Sequence, residues 1–407
     1  MTGGDDSDRQ AGDPHALGGG GGDLGRRPGH WISDEPWDAE TDLQALERKD
    51  LDASTTTLIW RRFKRNKLAV LSGLFLLIMY LMLPVAGFFA PYHPQARNTD
   101  AIYAPPQEID IFTAGHFLVT YPTVSEIDMA TFQPKFTADY DDPRPLRWLT
   151  SCGDPWSFLG LGETAFRLIC PPEGSDLYLI GADRLGRDIF SRLLHGAQLS
   201  LTVGLIGVTI SFGIGMVLGG FAGYFGGWID NVIQRVTEVV RVIPVIPLYM
   251  GLAAAMPKDW SSTQVYFAMT IILGLFGWPT LARRIRSQLL SIRGEDYVLA
   301  AELAGARPAR VIATHMLPSF TSFIIVDLVI SFPYMILSET ALSFVGLGLR
   351  PPSVSWGVML QQAQSVQAIE QAPWLFIPAA FVVLAVLAFT VLGDGLRDAA
   401  DPYSEAR

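Results

Sequence analysis

Apolar residues along this 407-residue chain gather into long blocks rather than short alternating runs. From Leu68 to Ala90 no charge interrupts the sequence. A helix rises about 1.5 Å per residue, so roughly 20 apolar residues cross a hydrocarbon core about 30 Å thick. That block predicts a first transmembrane helix over 68–90. Five further spans are expected. Leu199–Phe225 is uncharged and glycine-rich. Val232–Met256 is apolar but carries Arg235, Glu238 and Arg241 near its start, so only its later part is clean. Those three charges read as a helix end outside the membrane, where Glu238 can pair with either arginine at helical spacing. Gln264–Ala282 is uncharged, Ser319–Leu349 is interrupted only by Asp327 and Glu339, and Trp374–Gly393 closes the set. The fold class predicted is an all-α polytopic membrane protein of six transmembrane helices.

Polar segments divide the rest. Residues 1–54 hold the Gly18–Gly22 run and scattered acids with little apolar periodicity, which predicts a disordered acidic tail. Residues 55–67 place Leu58, Ile59, Trp60 and Phe63 among Arg61, Arg62, Lys64, Arg65 and Lys67. At helical spacing this is an amphipathic segment suited to membrane lipid, with Trp60 at headgroup level. Basic residues near span ends set the orientation. Five precede the first span, and six lie between the fourth and fifth: Arg283, Arg284, Arg286, Arg293, Arg307 and Arg310. Only Lys258 and Arg350 occupy the loops on either side of that pair of spans. Both termini and the 283–318 loop are therefore expected on the cytoplasmic side, with 91–198 outside. Repeated prolines and aromatics there suggest a small irregular or β-containing lobe. The remaining boundaries are a 199–396 transmembrane core and a 397–407 cytoplasmic tail.

Composition agrees with a membrane protein: 49% hydrophobic, 17% charged, mean hydropathy +0.28, against roughly 25% charged in soluble domains. The net charge of −10 argues against a nucleic-acid partner. The two cysteines, Cys152 and Cys170, both fall in the outer loop. An oxidising compartment would permit a disulfide, and two buried free thiols are the alternative. No metal site is expected, because the six histidines are scattered and no zinc-binding spacing occurs. There is no phosphate-cradling loop and no nucleophile elbow, so neither a catalytic role nor a cofactor of its own is expected. Asp327 and Glu339 inside the fifth span could line a substrate route or a proton relay. Structural pairing is the preferred reading, since no third ionisable group lies between them.

The segment Gly294–Pro318 carries the most information. Glu295 and Asp296 open an expected helix, Gly305 suits its C-terminal turn, and Pro308 can begin a second helix. Val311, Ile312 and Met316 would make one apolar face, and Arg307 and Arg310 a charged one. Ala300, Ala301 and Ala304 leave room for close approach, so the hairpin reads as a docking knob.

Here the sequence resembles the inner-membrane permease subunits of binding-protein-dependent ATP-binding-cassette importers, specifically the second permease of the dipeptide, oligopeptide and nickel branch. Ala300, Ala301, Gly305, Leu317 and Pro318 match that family's cytoplasmic signature at its spacing. Leu299 stands where the family has Glu, with Glu302 one turn on, and His315 stands where it has Ile. Gly181–Asp188 with Ser191–Ala197, Leu342–Gly357, and Leu392–Pro402 resemble three further blocks. Together they cover roughly 55–92 and 178–404; the tail and most of 95–175 lie outside.

The resemblance implies a bacterial inner-membrane subunit forming half of a solute pathway. It implies as partners a second homologous permease, two ATP-binding subunits that hold ATP and Mg, and an extracytoplasmic solute-binding protein. The 283–318 loop would be the coupling helix seated on the ATPase. Short peptides are the expected cargo, with oligosaccharides or opine-like compounds as the alternative. A proton-coupled transporter or channel using Asp327 and Glu339 is the rival from another class. A membrane-anchored sensor built around 95–175 is a weaker third.

Overall fold

The computed structural model describes residues 55–113, 116–129, 133–158, 162–257 and 259–400. The acidic 1–54 tail lies outside the described residues, as does most of the 397–407 tail. The described residues from Ile59 onward form one compact unit.

Helix α1, Thr55–Arg65, carries Arg62, Lys64 and Arg65 in its last turn, the favourable sign for a helix C-terminus. Lys64 Nζ lies 5.1 Å above the Trp60 ring. Helix α2, Lys67–Met82, begins at Asn66, whose side chain accepts a hydrogen bond from Ala69 N. A 3₁₀ turn at Leu83–Val85, introduced by Pro84, leads into α3, Ala86–Phe89.

Among the described residues, seven strands follow, all within 109–170. Strands β1 (Ile109–Thr113), β2 (His116–Thr120) and β5 (Arg144–Pro145) form one antiparallel sheet in the order β1-β2-β5. Strands β3 (Thr123–Asp128) and β4 (Gln133–Ala138) form a hairpin. Strands β6 (Arg147–Ser157) and β7 (Glu163–Cys170) form another, with a register shift between Ser151 and Trp156. A Cys152–Cys170 disulfide crosses this last hairpin, with Cα atoms 6.1 Å apart. Arg167 binds the hairpin to the end of the first span: its guanidinium donates to Gly87 O at 3.0 Å, Cys152 O at 3.1 Å and Asp154 O at 2.7 Å.

The remaining elements are helical. Helix α4, Ile189–Phe225, is capped by Asp188. Helices α5, Gly227–Val242, and α6, Val245–Ala255, precede α7, Ser262–Ile292, which opens on a capping box of Ser261 and Gln264. Then come α8, Asp296–Leu303, and α9, Pro308–Arg310. A π-helical stretch at Val311–Met316 and a 3₁₀ turn lead into α10, Thr321–Phe344. Helices α11, Trp356–Gln362, α12, Val366–Gln371, and α13, Ile377–Ala400, finish the chain.

Among the described residues, five helices are long and apolar enough to cross a membrane: Lys67–Phe89, Ile189–Phe225, Ser262–Ile292, Pro308–Phe344 and Pro373–Ala400. The sixth expected span differs from a straight helix. Over 232–256 the chain runs as α5 and α6, bent by 82°, and the two make a sixth span only when counted together. Ile243 and Pro244 adopt extended ψ values of 121° and 119°, as expected where a proline removes a donor and disfavours helix in the residue before it.

Small residues set how the bundle closes. A Cβ on Gly219 would fall 2.5 Å from Ala282 O, and one on Gly223 would fall 2.7 Å from Leu289 Cβ. Gly215 meets Leu281 in the same way. These glycines, four residues apart, let the α4 and α7 backbones approach closely, the small-residue packing used where lipid supplies no hydrophobic drive between helices. Trp356 is fully buried against this framework, its Nε1 donating to Leu193 O at 3.2 Å.

Candidate functional site

The hairpin expected at Gly294–Pro318 is present, with a helix C-terminus closed by a Schellman motif. Gly305 N donates to Glu302 O at 2.9 Å and Ala306 N to Ala301 O at 3.1 Å. Gly305 has φ +80°, and nothing lies within 4 Å of where its Cβ would be. Its requirement is therefore conformational rather than steric. Val298, Val311, Ile312 and Met316 are buried with Leu281, Ile285, Leu289 and Phe320, which seats the hairpin on the ends of α7 and α10. Ala301 and Leu317 are half-buried against the same cluster. The opposite side faces outward: Leu303 is 90% exposed, Tyr297, Leu299 and Ala300 are exposed, and so are Glu295, Asp296 and Glu302. His315 is half-buried and Pro318 exposed. An exposed leucine at the tip of a rigid, internally packed turn has no folding role to explain it.

The first part of the 283–318 segment is helical. Arg283, Arg284 and Arg286 stand in the last turns of α7, which continues to Ile292. No glycine or proline stands between Arg283 and Gly294, so the basic residues extend the helix instead of ending it. Arg286 forms an ion pair with Asp230 of α5.

Arg284 pairs with Asp327 of α10. Both line a cavity of about 340 Å³ between α4, α6, α7 and α10. Hydroxyls of Ser211, Tyr249, Thr280, Ser331, Tyr334 and Ser338 share its wall with apolar side chains. Asp327 thus faces a cavity. Arg284, one of three arginines near the end of α7 that read from the sequence as loop charge, is its partner, and nothing in the sequence singles it out from Arg283 and Arg286.

Glu339 is not brought to that cavity. It is 3% exposed, accepting hydrogen bonds from Ser200 Oγ at 3.0 Å and Ser343 Oγ at 2.9 Å. Ser200 Oγ also accepts from Trp356 N at 3.2 Å, and Ser343 Oγ from Leu349 N at 3.1 Å. The carboxylate therefore gathers α4, α10 and α11 around itself. Buried polar groups persist when satisfied in this way.

A second ionic network organises the approach to α4. Asp183 Oδ1 accepts from Leu185 N and Arg187 N, and its Oδ2 lies 2.7 Å from Arg187 Nε. Arg187 and Arg192 both donate to Gln362 Oε1, at 3.0 and 3.1 Å. Gly186, at φ +68°, lies so close to Asn98 that no side chain would fit.

These features define a polytopic helical membrane protein with a mixed polar and apolar cavity and an exposed hairpin on its connecting helices. Residues 215–403 match the family described as binding-protein-dependent transport system inner membrane component. Residues 54–106 match the N-terminal TM domain of oligopeptide transport permease C. The dipeptide transport system permease protein DppC of Bacillus subtilis is 32% identical over 365 residues, covering 89% of this chain and 90% of that one. The oligopeptide transport system permease protein OppC of Mycobacterium tuberculosis is 34% identical over 253 residues, 62% of this chain and 84% of that one. The chain belongs to this family of transport-system permeases, and the strands of the 109–170 lobe fall between its two matched segments.

Proposed function

We propose that this chain is one permease of an ATP-driven importer of short peptides, forming half of the translocation pathway. The carrying observation is the hairpin. Its base is buried with the ends of α7 and α10, its apolar tip at Leu303 is exposed, and the same two helices reach the cavity through Arg284 and Asp327. A rigid knob on the helices that line a route is what a neighbouring motor needs to grip. Glu295, Asp296, Ala300, Ala301, Glu302, Gly305, His315, Leu317 and Pro318 form the coupling loop in this reading. The peptide assignment is supported by the dipeptide and oligopeptide permeases that the chain resembles.

The partners are a second homologous permease, two ATP-binding subunits carrying ATP and Mg, and an extracytoplasmic solute-binding protein. The chain itself holds no cofactor and catalyses no reaction. It sits in the bacterial inner membrane with both termini and the hairpin cytoplasmic. Residues 91–198 form the outer lobe, where the Cys152–Cys170 bond suits an oxidising compartment. A proton-coupled route has less support, because Glu339 is enclosed by serine hydroxyls away from the cavity that Asp327 lines.

Uptake of a labelled dipeptide tests the proposal. Import should stop when the ATP-binding subunit is deleted and should continue when the proton gradient alone is collapsed. Import that survives the deletion and fails with the gradient would establish the rival reading.

A further inference from the structure

Among the described residues that line the cavity, Arg284 and Asp327 are the only charged side chains. They differ in freedom. Asp327 is buried, its side chain 5% exposed, whereas the Arg284 side chain keeps 47% of its surface open. No other ion pair involves either of them among the described residues. Ser331 and Ser338, on the same helix as Asp327, donate to the carbonyls of Asp327 and Tyr334 one turn back, both at 2.7 Å. Each hydroxyl oxygen is left free to accept.

We propose that Arg284 and Asp327 are a cargo-reading pair for a zwitterionic solute, Arg284 taking the carboxylate and Asp327 the ammonium. This deepens the peptide-import reading and rests on it. An unpaired charge inside a span is costly, so an empty route requires its charges to satisfy one another. The pair does so. A free peptide brings one carboxylate and one ammonium, and exchange of partners replaces each contact with one of the same kind. Guanidinium still meets carboxylate, and carboxylate still meets a cation. Such an exchange is nearly balanced, which suits a pathway whose cargo must enter and then leave. A solute with a single charge leaves one member of the pair unmatched. An uncharged sugar leaves the pair closed and gains hydroxyl contacts alone. The flexible, open Arg284 is the member able to swing to the cargo, while Asp327 holds its place.

The test compares uptake of a dipeptide with its N-acetyl and C-amide forms in cells expressing wild type, Arg284→Gln or Asp327→Asn. The binding protein is the same throughout, so its own preference cancels when each variant is divided by wild type. Arg284→Gln should lower the ratio of free acid to amide about tenfold, the loss of one hydrogen-bonded charge contact, and leave the ratio of free amine to acetyl form unchanged. Asp327→Asn should show the reverse. Equal losses for all three cargos, at normal membrane levels, would make the pair structural and overturn the proposal. Where wild type admits no blocked form or a variant fails to insert, labelling of Arg284 by a dicarbonyl reagent in the wild-type complex decides. Millimolar dipeptide should slow that reaction and blocked dipeptide should not; identical rates overturn the assignment. Wild type that imports none of the peptides refutes the import reading instead.

Discussion

Asp188 places a carboxylate where folding gives it only half of what it needs. Its Oδ2 accepts from Ser191 N at 2.8 Å, capping α4, but its Oδ1 is buried without a partner. Burial raises its pKa from the usual carboxylate range to about 6. Because the folded state holds its proton more tightly than the unfolded chain, the folded protein gains relative stability below the unfolded value. That gain is lost as pH rises from about 4 to about 6. A shift of roughly two units corresponds to about 3 kcal/mol carried as a cost at neutral pH. Asparagine caps as well as aspartate and brings no charge. Asp188→Asn should therefore raise the thermal midpoint at pH 7, with the difference from wild type shrinking toward pH 4.5. A midpoint that falls at pH 7 would mean that the ionised carboxylate serves the fold. The sequence shows Asp188 in its motif, but the orphaned oxygen depends on what packs over it.

Among the elements, α4 and α7 approach closely, and at Gly219 an added Cβ would meet the α7 backbone. With Ala282 O only 2.5 Å from an added Cβ, Gly219→Leu should cost about 1–3 kcal/mol by overpacking. Gly213 lies on the same helix with nothing within 4 Å, so Gly213→Leu should be nearly neutral. Thermal unfolding of the two variants in one detergent separates them; equal loss would move the contact elsewhere. The apolar blocks that predict α2, α4, α7, α10 and α13 are legible because lipid demands uncharged length. Helix ends are less so. Helix α4 begins at Ile189, ten residues before its uncharged block, since Arg192 is satisfied by Asp183 just upstream and by Gln362 from a distant segment. The lobe is least legible. Strand β6 is mostly exposed, with half-buried positions at irregular intervals and not in strict alternation, and its order comes from β7, the disulfide and Arg167, none of them a local signal. The break between α5 and α6 is written locally in Pro244, but apolar composition alone reads straight through it.

At the scale of the whole molecule, α7 and α10 join two places that any transport cycle must connect. The last turns of α7 and the first turns of α10 hold the Arg284–Asp327 pair in the cavity wall, and the same ends bury the base of the hairpin. Arg286 adds a tie from α7 to Asp230 on α5. A force applied to the hairpin thus reaches the cavity through two continuous helices, provided the hairpin turns as one body. Gly305 sets that turn at φ +80°. A side chain there costs roughly 1–2 kcal/mol of left-handed strain, too little to prevent insertion of a bundle whose core lies elsewhere. The added group projects into open space beside exposed Leu303 and Ala304, onto the surface assigned to the ATP-binding subunit. Gly305→Asp, which tolerates the left-handed region better than most residues, and Gly305→Arg should both abolish peptide uptake. Immunoblots should show normal amounts in the membrane, and less ATP-binding subunit should copurify. Uptake at the wild-type rate in both variants would remove the hairpin from the drive train, whatever the family to which the chain belongs.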